Sequence, residues 1–245
     1  MKSTHIAKAV KPARYTTFFK TPAKGKRMLA VLLCVCLVAG GAAFSGCGEE
    51  PSPYNWEVSI VDSFDPEQCC LKELPWLITM DEAKEILHLA DLPADAYEVG
   101  KYNGLTIALK NVKLKEFQLP MELILMFREN PGMTGKKGIL LIGYGFNVSE
   151  IDGYSLLEED SLPIRMLPEE TQEKFEQIQG ADMQTCVQAL AQRPDVSAYG
   201  GLSSGTTSDG PSFSYSAQVT IPDERFGVSA SFQLTQTGLS FILGW

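Results

Sequence analysis

The alternation of apolar and polar positions is cleanest at the end of the chain. Phe213, Tyr215, Ala217, Val219 and Ile221 alternate with Ser212, Ser214, Ser216, Gln218 and Thr220. Phe226, Val228, Ala230, Phe232 and Leu234 then alternate with Gly227, Ser229, Ser231, Gln233 and Thr235, and Leu239, Phe241, Leu243 and Trp245 close the series. A period of two sends every apolar side chain to one face of a strand. Three such strands predict an antiparallel meander, covered on one side and lined with Ser, Thr and Gln on the other.

The same period recurs upstream in Leu105, Ile107 and Leu109, in Met121, Leu123, Leu125 and Phe127, and in Leu140, Ile142, Tyr144, Phe146 and Val148. Asn103-Gly104 signals a type I′ hairpin, which needs positive φ at both central residues, and Asn130-Pro131-Gly132 marks a turn. Trp56, Val58 and Ile60 predict a short first strand, whereas the stretch up to Pro75 has no clear period.

Helical spacing replaces alternation at three places. Thr79-Met80-Asp81-Glu82 fits a capping box, with Met80, Ala83, Leu87 and Ala90 following and Pro93 as the stop. Pro168 suits a first helical position, Phe175 and Ile178 give a stripe, and Gly180 is read as the end of that helix. Asp182 is read as the cap of a further helix, with Met183, Cys186, Val187 and Leu190 on one face and Pro194 at its end. Residues 149–167 are acidic and irregular, and 195–211 read as a Gly/Ser-rich loop.

The fold class is therefore α+β, with antiparallel sheets and helices packed on one face. Helix-then-strands occurs twice, over 56–150 and 151–245, either as two units or as one joint domain. No residue-level identity between the halves marks a repeat.

The first 46 residues are of another kind. Residues 1–27 hold eight cations and no acid, and Met28–Phe44 is an uncharged apolar run. That run is shorter than the roughly 20 residues of a spanning helix. Small residues then lead to Phe44-Ser45-Gly46-Cys47. Basic start, apolar core, small residues and cysteine together resemble the signal peptide of a bacterial lipoprotein. Phe44 departs from the family, which usually has an aliphatic residue there. The resemblance implies a diacylglyceryl thioether on Cys47, cleavage before it, and a mature chain anchored outside the cytoplasm. An uncleaved anchor and ordinary cleavage after Ala43-Phe44-Ser45 are the alternatives. Residues 47–55, with two prolines, read as a tether.

Charge sharpens this division. The whole chain is −9, but residues 47–245 hold 13 cations against all 30 acids, a net −17. Such a field repels nucleic-acid phosphates and anionic lipid surfaces, so no nucleic-acid partner is expected. Cys34 and Cys36 fall in the leader, which leaves Cys69, Cys70 and Cys186. An oxidising compartment allows a disulfide of Cys186 with Cys69 or Cys70, a strained vicinal bridge, or a plain buried thiol at Cys186.

Candidate chemistry is sparse. Gly201-Leu202-Ser203-Ser204-Gly205 matches the hydrolase nucleophile elbow, but that motif needs a strand before the serine, a helix after it and a histidine downstream. His88, the one histidine after Cys47, lies upstream on a predicted helix. Glu158-Glu159-Asp160 lacks the ligand spacing and glycine turn of a calcium loop, and Asn147-Val148-Ser149 is a formal glycosylation sequon at a strand end. No catalytic residue, cofactor or metal is assigned.

The element order resembles small exported helix-on-sheet domains, such as the β-lactamase-inhibitor-type repeat and the small lipoprotein of the outer-membrane barrel-assembly machinery. That similarity implies binding rather than catalysis, by analogy of fold alone. The expectation is a membrane-anchored, non-enzymatic binding module for a protein, peptide or cell-envelope ligand. The alternatives are a cell-envelope hydrolase and a structural accessory subunit.

Overall fold

The computed structural model describes residues 56–101, 105–129, 138–157, 163–207, 210–220 and 228–244. They belong to one compact unit, Glu50–Trp245. Cys47, Asn103-Gly104, Asn130-Pro131-Gly132 and Glu158-Glu159-Asp160 lie outside the described residues.

The meander forms as the alternation requires. β11 (Gly210–Val219), β12 (Val228–Thr235) and β13 (Gly238–Gly244) pair antiparallel in sequence order. β5 (Thr106–Leu114), β6 (Met121–Glu129) and β7 (Ile139–Val148) do the same. These two sets are one sheet, because β13 pairs antiparallel with β7, Phe241 opposite Tyr144 and Leu239 opposite Phe146. The full order is β1-β5-β6-β7-β13-β12-β11-β10, with β1 (Glu57–Val58) parallel to β5, β10 (Ser203–Thr207) at the far edge and β4 (Tyr97–Val99) also on β5. The fold is thus α+β, and both halves of the predicted organisation share a single nine-stranded sheet. β2 (Phe64–Asp65) with β3 (Cys70–Leu71), and β8 (Glu150–Ile151) with β9 (Tyr154–Ser155), form two small separate hairpins.

The β7–β13 seam depends on Gly238. A Cβ there would lie 2.1 Å from the Phe146 carbonyl oxygen and 3.0 Å from Asn147 Cα. Only a residue without a side chain lets the two backbones meet at this register.

One face of the sheet carries the core. Tyr144 stacks on Phe241 with centroids 4.8 Å apart, and Phe232 lies 4.8 Å from Phe241. Phe64, fully buried, meets Tyr215, Phe232 and Phe241 at 5.3, 5.5 and 6.2 Å. Burying such a side chain contributes roughly 1.5–3 kcal/mol, and ring pairs add about 0.5–1.5 kcal/mol each. The stretch without a readable period is therefore the plug over the middle of the sheet. Two tyrosine hydroxyls fasten it: the Leu71 amide donates to Tyr144 Oη at 2.6 Å, and Tyr215 Oη donates to the Pro66 carbonyl at 2.9 Å.

The expected strand at Trp56, Val58 and Ile60 stops at Val58, and Ile60–Ser63 becomes a short helix, α1. Its free amides explain the switch. Glu116 accepts from the Ile60 and Val61 amides at 2.9 and 3.1 Å and from Ser59 Oγ, while Ser59 Oγ accepts from the Asp62 amide. At the other side, Arg193 donates to the Val61 carbonyl. α2 (Met80–Ile86) opens with the predicted capping box on Thr79 and Glu82 but ends before Pro93, where His88 turns left-handed at φ 51°.

The largest departure is α3 (Glu169–Ala191), a continuous helix of 23 residues. Pro168 is its N-cap rather than its first residue, and Gly180 lies inside it. Its buried positions Thr171, Phe175, Gln179, Asp182, Met183, Cys186, Val187 and Leu190 follow helical spacing without interruption, so packing overrides the roughly 1 kcal/mol that glycine costs. Asp182 is accordingly no cap. It is buried and accepts from the Gln118 amide at 2.7 Å and Gln118 Nε2 at 2.9 Å. Pro194 begins α4 (Pro194–Tyr199), and the predicted loop after it contains the strand β10.

The two glycines predict opposite outcomes. At Gly180 an added Cβ meets nothing within 4 Å, so Gly180→Ala should raise stability by about 1 kcal/mol in a denaturant titration. Gly238→Ala should lower it by about 3 kcal/mol, the upper end of overpacking costs.

Candidate functional site

The covered face leaves its opposite open across the C-terminal strands. Ser214, Ser216, Gln218, Ser229, Ser231 and Gln233 are exposed. Register aligns them into rows. One runs Ser203, Ser214, Gln233, Ser240, Gly145 and Ile124, and the next runs Ser216, Ser231, Ile242, Gly143, Met126 and Thr106.

The second row has an apolar centre. Ile242 is 47% exposed, and Met126 is half-buried beside Gly143, where a Cβ would lie 2.8 Å from Met126 Cε. Ile242 is out of phase with Leu239, Phe241 and Leu243. That phase error was the sequence signal for an apolar residue on the polar face. A second signal is the absence of Asp, Glu, Lys and Arg from Ser203–Thr207, Gly210–Val219, Val228–Thr235 and Gly238–Gly244. A surface with no charge desolvates at lower cost than a charged one. Its hydroxyls and amides offer both donors and acceptors.

Ser203 opens the edge strand β10, which leads directly into β11. The strand–turn–helix context of a nucleophile elbow is not formed. His88 is exposed at the end of α2. Asn147 is half-buried within β7, opposite Gly238 and Glu122. Among the described residues no group of three or more His, Cys, Asp or Glu could hold a metal ion, and no helix is long and apolar enough to cross a membrane.

Cys69, Cys70 and Cys186 are free, buried thiols, so the considered bridge of Cys186 with Cys69 or Cys70 is not formed in this structure. Cys69 and Cys70 close the β2–β3 turn, Cys69 at φ 48°, while Cys186 faces inward from α3. Burial pushes each thiol up to about 12, with nearby Asp65 contributing at Cys69 and Cys70 and Glu116 at Cys186.

A separate corner lies where α4 runs towards β10. Tyr199 is 53% exposed. The charge of the nearby Glu67 carboxylate raises the Tyr199 pKa, with Asp65 adding to the same negative field, while the Asp195 carboxylate is paired with the Arg193 guanidinium. Comparison with protein-family models, curated proteins and solved structures finds no match.

The thiols give a direct check. At pH 8 a thiol titrating near 12 is almost wholly protonated, and the thiolate is the nucleophile. Cys69, Cys70 and Cys186 should stay unalkylated by iodoacetamide in the native chain and react fully after denaturation without reductant. Peptide mass spectrometry reads this, and protection that survives denaturation but not reduction would demonstrate a disulfide.

Proposed function

We propose that this chain is an extracytoplasmic lipoprotein, held to the bacterial cell membrane by lipid on Cys47, and that its α+β domain is a non-enzymatic binding module for a protein, peptide or cell-envelope ligand. The observation that carries the binding role is the open, charge-free sheet face. Residues 47–245 have a net charge of −17, yet β10 to β13 contain no charged residue. Strands free of charge leave on their uncovered face, among the described residues, a surface that loses little on desolvation. Ile242 and Met126 supply an apolar anchor within a hydrogen-bonding surround, the usual arrangement of a binding hot spot. The basic leader, apolar run and Phe44-Ser45-Gly46-Cys47 support export and lipidation. The hydrolase alternative has less support, because Ser203 lies on an edge strand followed by a strand.

Both parts of this reading can be tested in the full chain expressed in a bacterial host. Mass spectrometry of the membrane fraction should find an N-terminal Cys47 carrying diacylglycerol, and an unmodified thiol there would overturn the anchor. A photo-crosslinking residue at Ser231 should give discrete adducts that the same residue at Gln188, exposed on α3, does not give. Ile242→Asp should abolish them. Equal adducts from both positions, or none, would overturn the binding face.

A further inference from the structure

The sheet ends differently at its two sides. On the β5 side, β1 has two residues, and β4 has three and carries Glu98, whose carboxylate pairs with Lys110 at 3.0 Å. Short length and charge are the usual devices that stop an edge from recruiting another strand. β10 has neither protection. It is five residues, Ser203–Thr207, with Ser203, Ser204, Gly205 and Thr206 exposed and no Lys, Arg, Asp, Glu or Pro. Its inner side is paired in unbroken antiparallel register from Ser203–Ser214 to Thr207–Gly210. The alternate backbone amides and carbonyls point away from β11 and form a template for one more strand.

The charge around this edge selects the occupant. A second copy would bring −17 against −17, a repulsion that works against self-pairing. A basic segment meets the opposite situation. The chain enters β10 from Tyr199 through Gly200, whose position is packed against Tyr215 and the Ser216 carbonyl of β11. Tyr199 therefore leads into the start of the edge, with the charges of the nearby Glu67 and Asp65 setting a negative field there and Asp195 tied to Arg193. An exposed aromatic ring next to carboxylates holds a Lys or Arg side chain by charge and by cation–π attraction.

We infer that the outer edge of β10 takes up an extended peptide segment of a partner protein by strand addition, with a basic side chain of that segment seated at Tyr199 and Glu67. Main-chain hydrogen bonds supply affinity without sequence preference, and the Tyr199 corner supplies the selection. This inference rests on the binding-module reading and adds a second surface to it.

The test uses the full chain in detergent micelles. The probe is the synthetic peptide Thr-Val-Lys-Val-Thr-Val-Lys, compared with its Lys-to-Glu counterpart and with a version N-methylated on alternate residues. The lysine peptide should bind saturably and slow amide hydrogen exchange at Ser203–Thr207. Affinity should fall at least about tenfold, roughly 1.4 kcal/mol, for the glutamate peptide, and N-methylation along the pairing edge should remove binding. Glu67→Gln and Tyr199→Ala, both at the surface corner, should erase the lysine preference while leaving the thermal midpoint unchanged. Absence of binding up to about 1 mM, equal binding of the lysine and glutamate peptides, or binding without slowed exchange at β10 would overturn the inference. So would concentration-dependent dimerisation that protects Ser203–Thr207, since that would make the occupant a second copy. Adducts from Ser231 with none of these β10 effects would leave the binding face standing and remove this edge alone.

Discussion

Two strands that are about 100 residues apart in the chain, β7 and β13, run side by side, and nearly everything else is arranged by that pairing. It joins the N-terminal strands to the C-terminal meander across a seam where only glycine fits opposite Asn147. The same register brings Tyr144 over Phe241, and the aromatic surface then continues to Phe232, Tyr215 and Phe64. A sheet this wide presents two faces, and the chain has one long helix and one plug segment to cover them. Both lie on the aromatic side. The opposite side stays open over β10 to β13, whereas over β5 and β6 Thr106, Ala108 and Glu122 on that side are buried.

Local polar contacts then hold the cover in place. The β5–β6 connection contributes twice: Glu116 receives the free amides of α1, and Gln118 donates from backbone and side chain to Asp182 on α3. Plug, sheet and helix are tied through one turn. Charge-assisted bonds of this kind contribute about 1.5–3 kcal/mol each. Gln179, one turn from Asp182, is fully buried, and its amide meets no hydrogen-bond partner among the described residues. The helix accepts that local cost because its neighbours Phe175, Met183 and Cys186 are buried by the same face.

What could be read in the chain follows from which of these forces is local. Alternation in 213–219, 228–235 and 239–243 and the Thr79–Glu82 capping box are local signals, and both are formed, while Ile221, Phe226 and Trp245 lie outside the described residues. Gly180 and Asp182 carry strong local preferences, for a helix end and a cap, and both lost to the buried stripe of α3, which a propensity reading cannot weigh. The segment from Ile60 to Leu77 had no period because its residues fill gaps between sheet aromatics, an order set by tertiary contacts. β10 was hidden because Ser203–Thr207 has no apolar alternation and a glycine at its centre, and its pairing is supplied by β11. For the candidate face, the missing charges and the out-of-phase Ile242 were visible in the sequence. Their convergence with Met126 across Gly143 was not, because it depends on the β7–β13 register.

The distribution of charge completes the argument. Acidic residues outnumber basic ones by 17 over residues 47–245, so any partner approaching at long range experiences a negative field. Within roughly 8–10 Å, about one screening length, local groups dominate, and over the meander those groups are hydroxyls, amides and one isoleucine. A face with this composition neither repels an anion strongly nor holds a cation. In the binding role proposed for this face, selectivity would come from hydrogen-bond geometry and from the fit to Ile242. The edge at Tyr199 and Glu67 is different, because there the field has a local source beside an exposed backbone. The two surfaces share one sheet, and in the roles proposed for them they would separate two kinds of recognition: shape and hydrogen bonding on the face, main-chain pairing and charge at the edge.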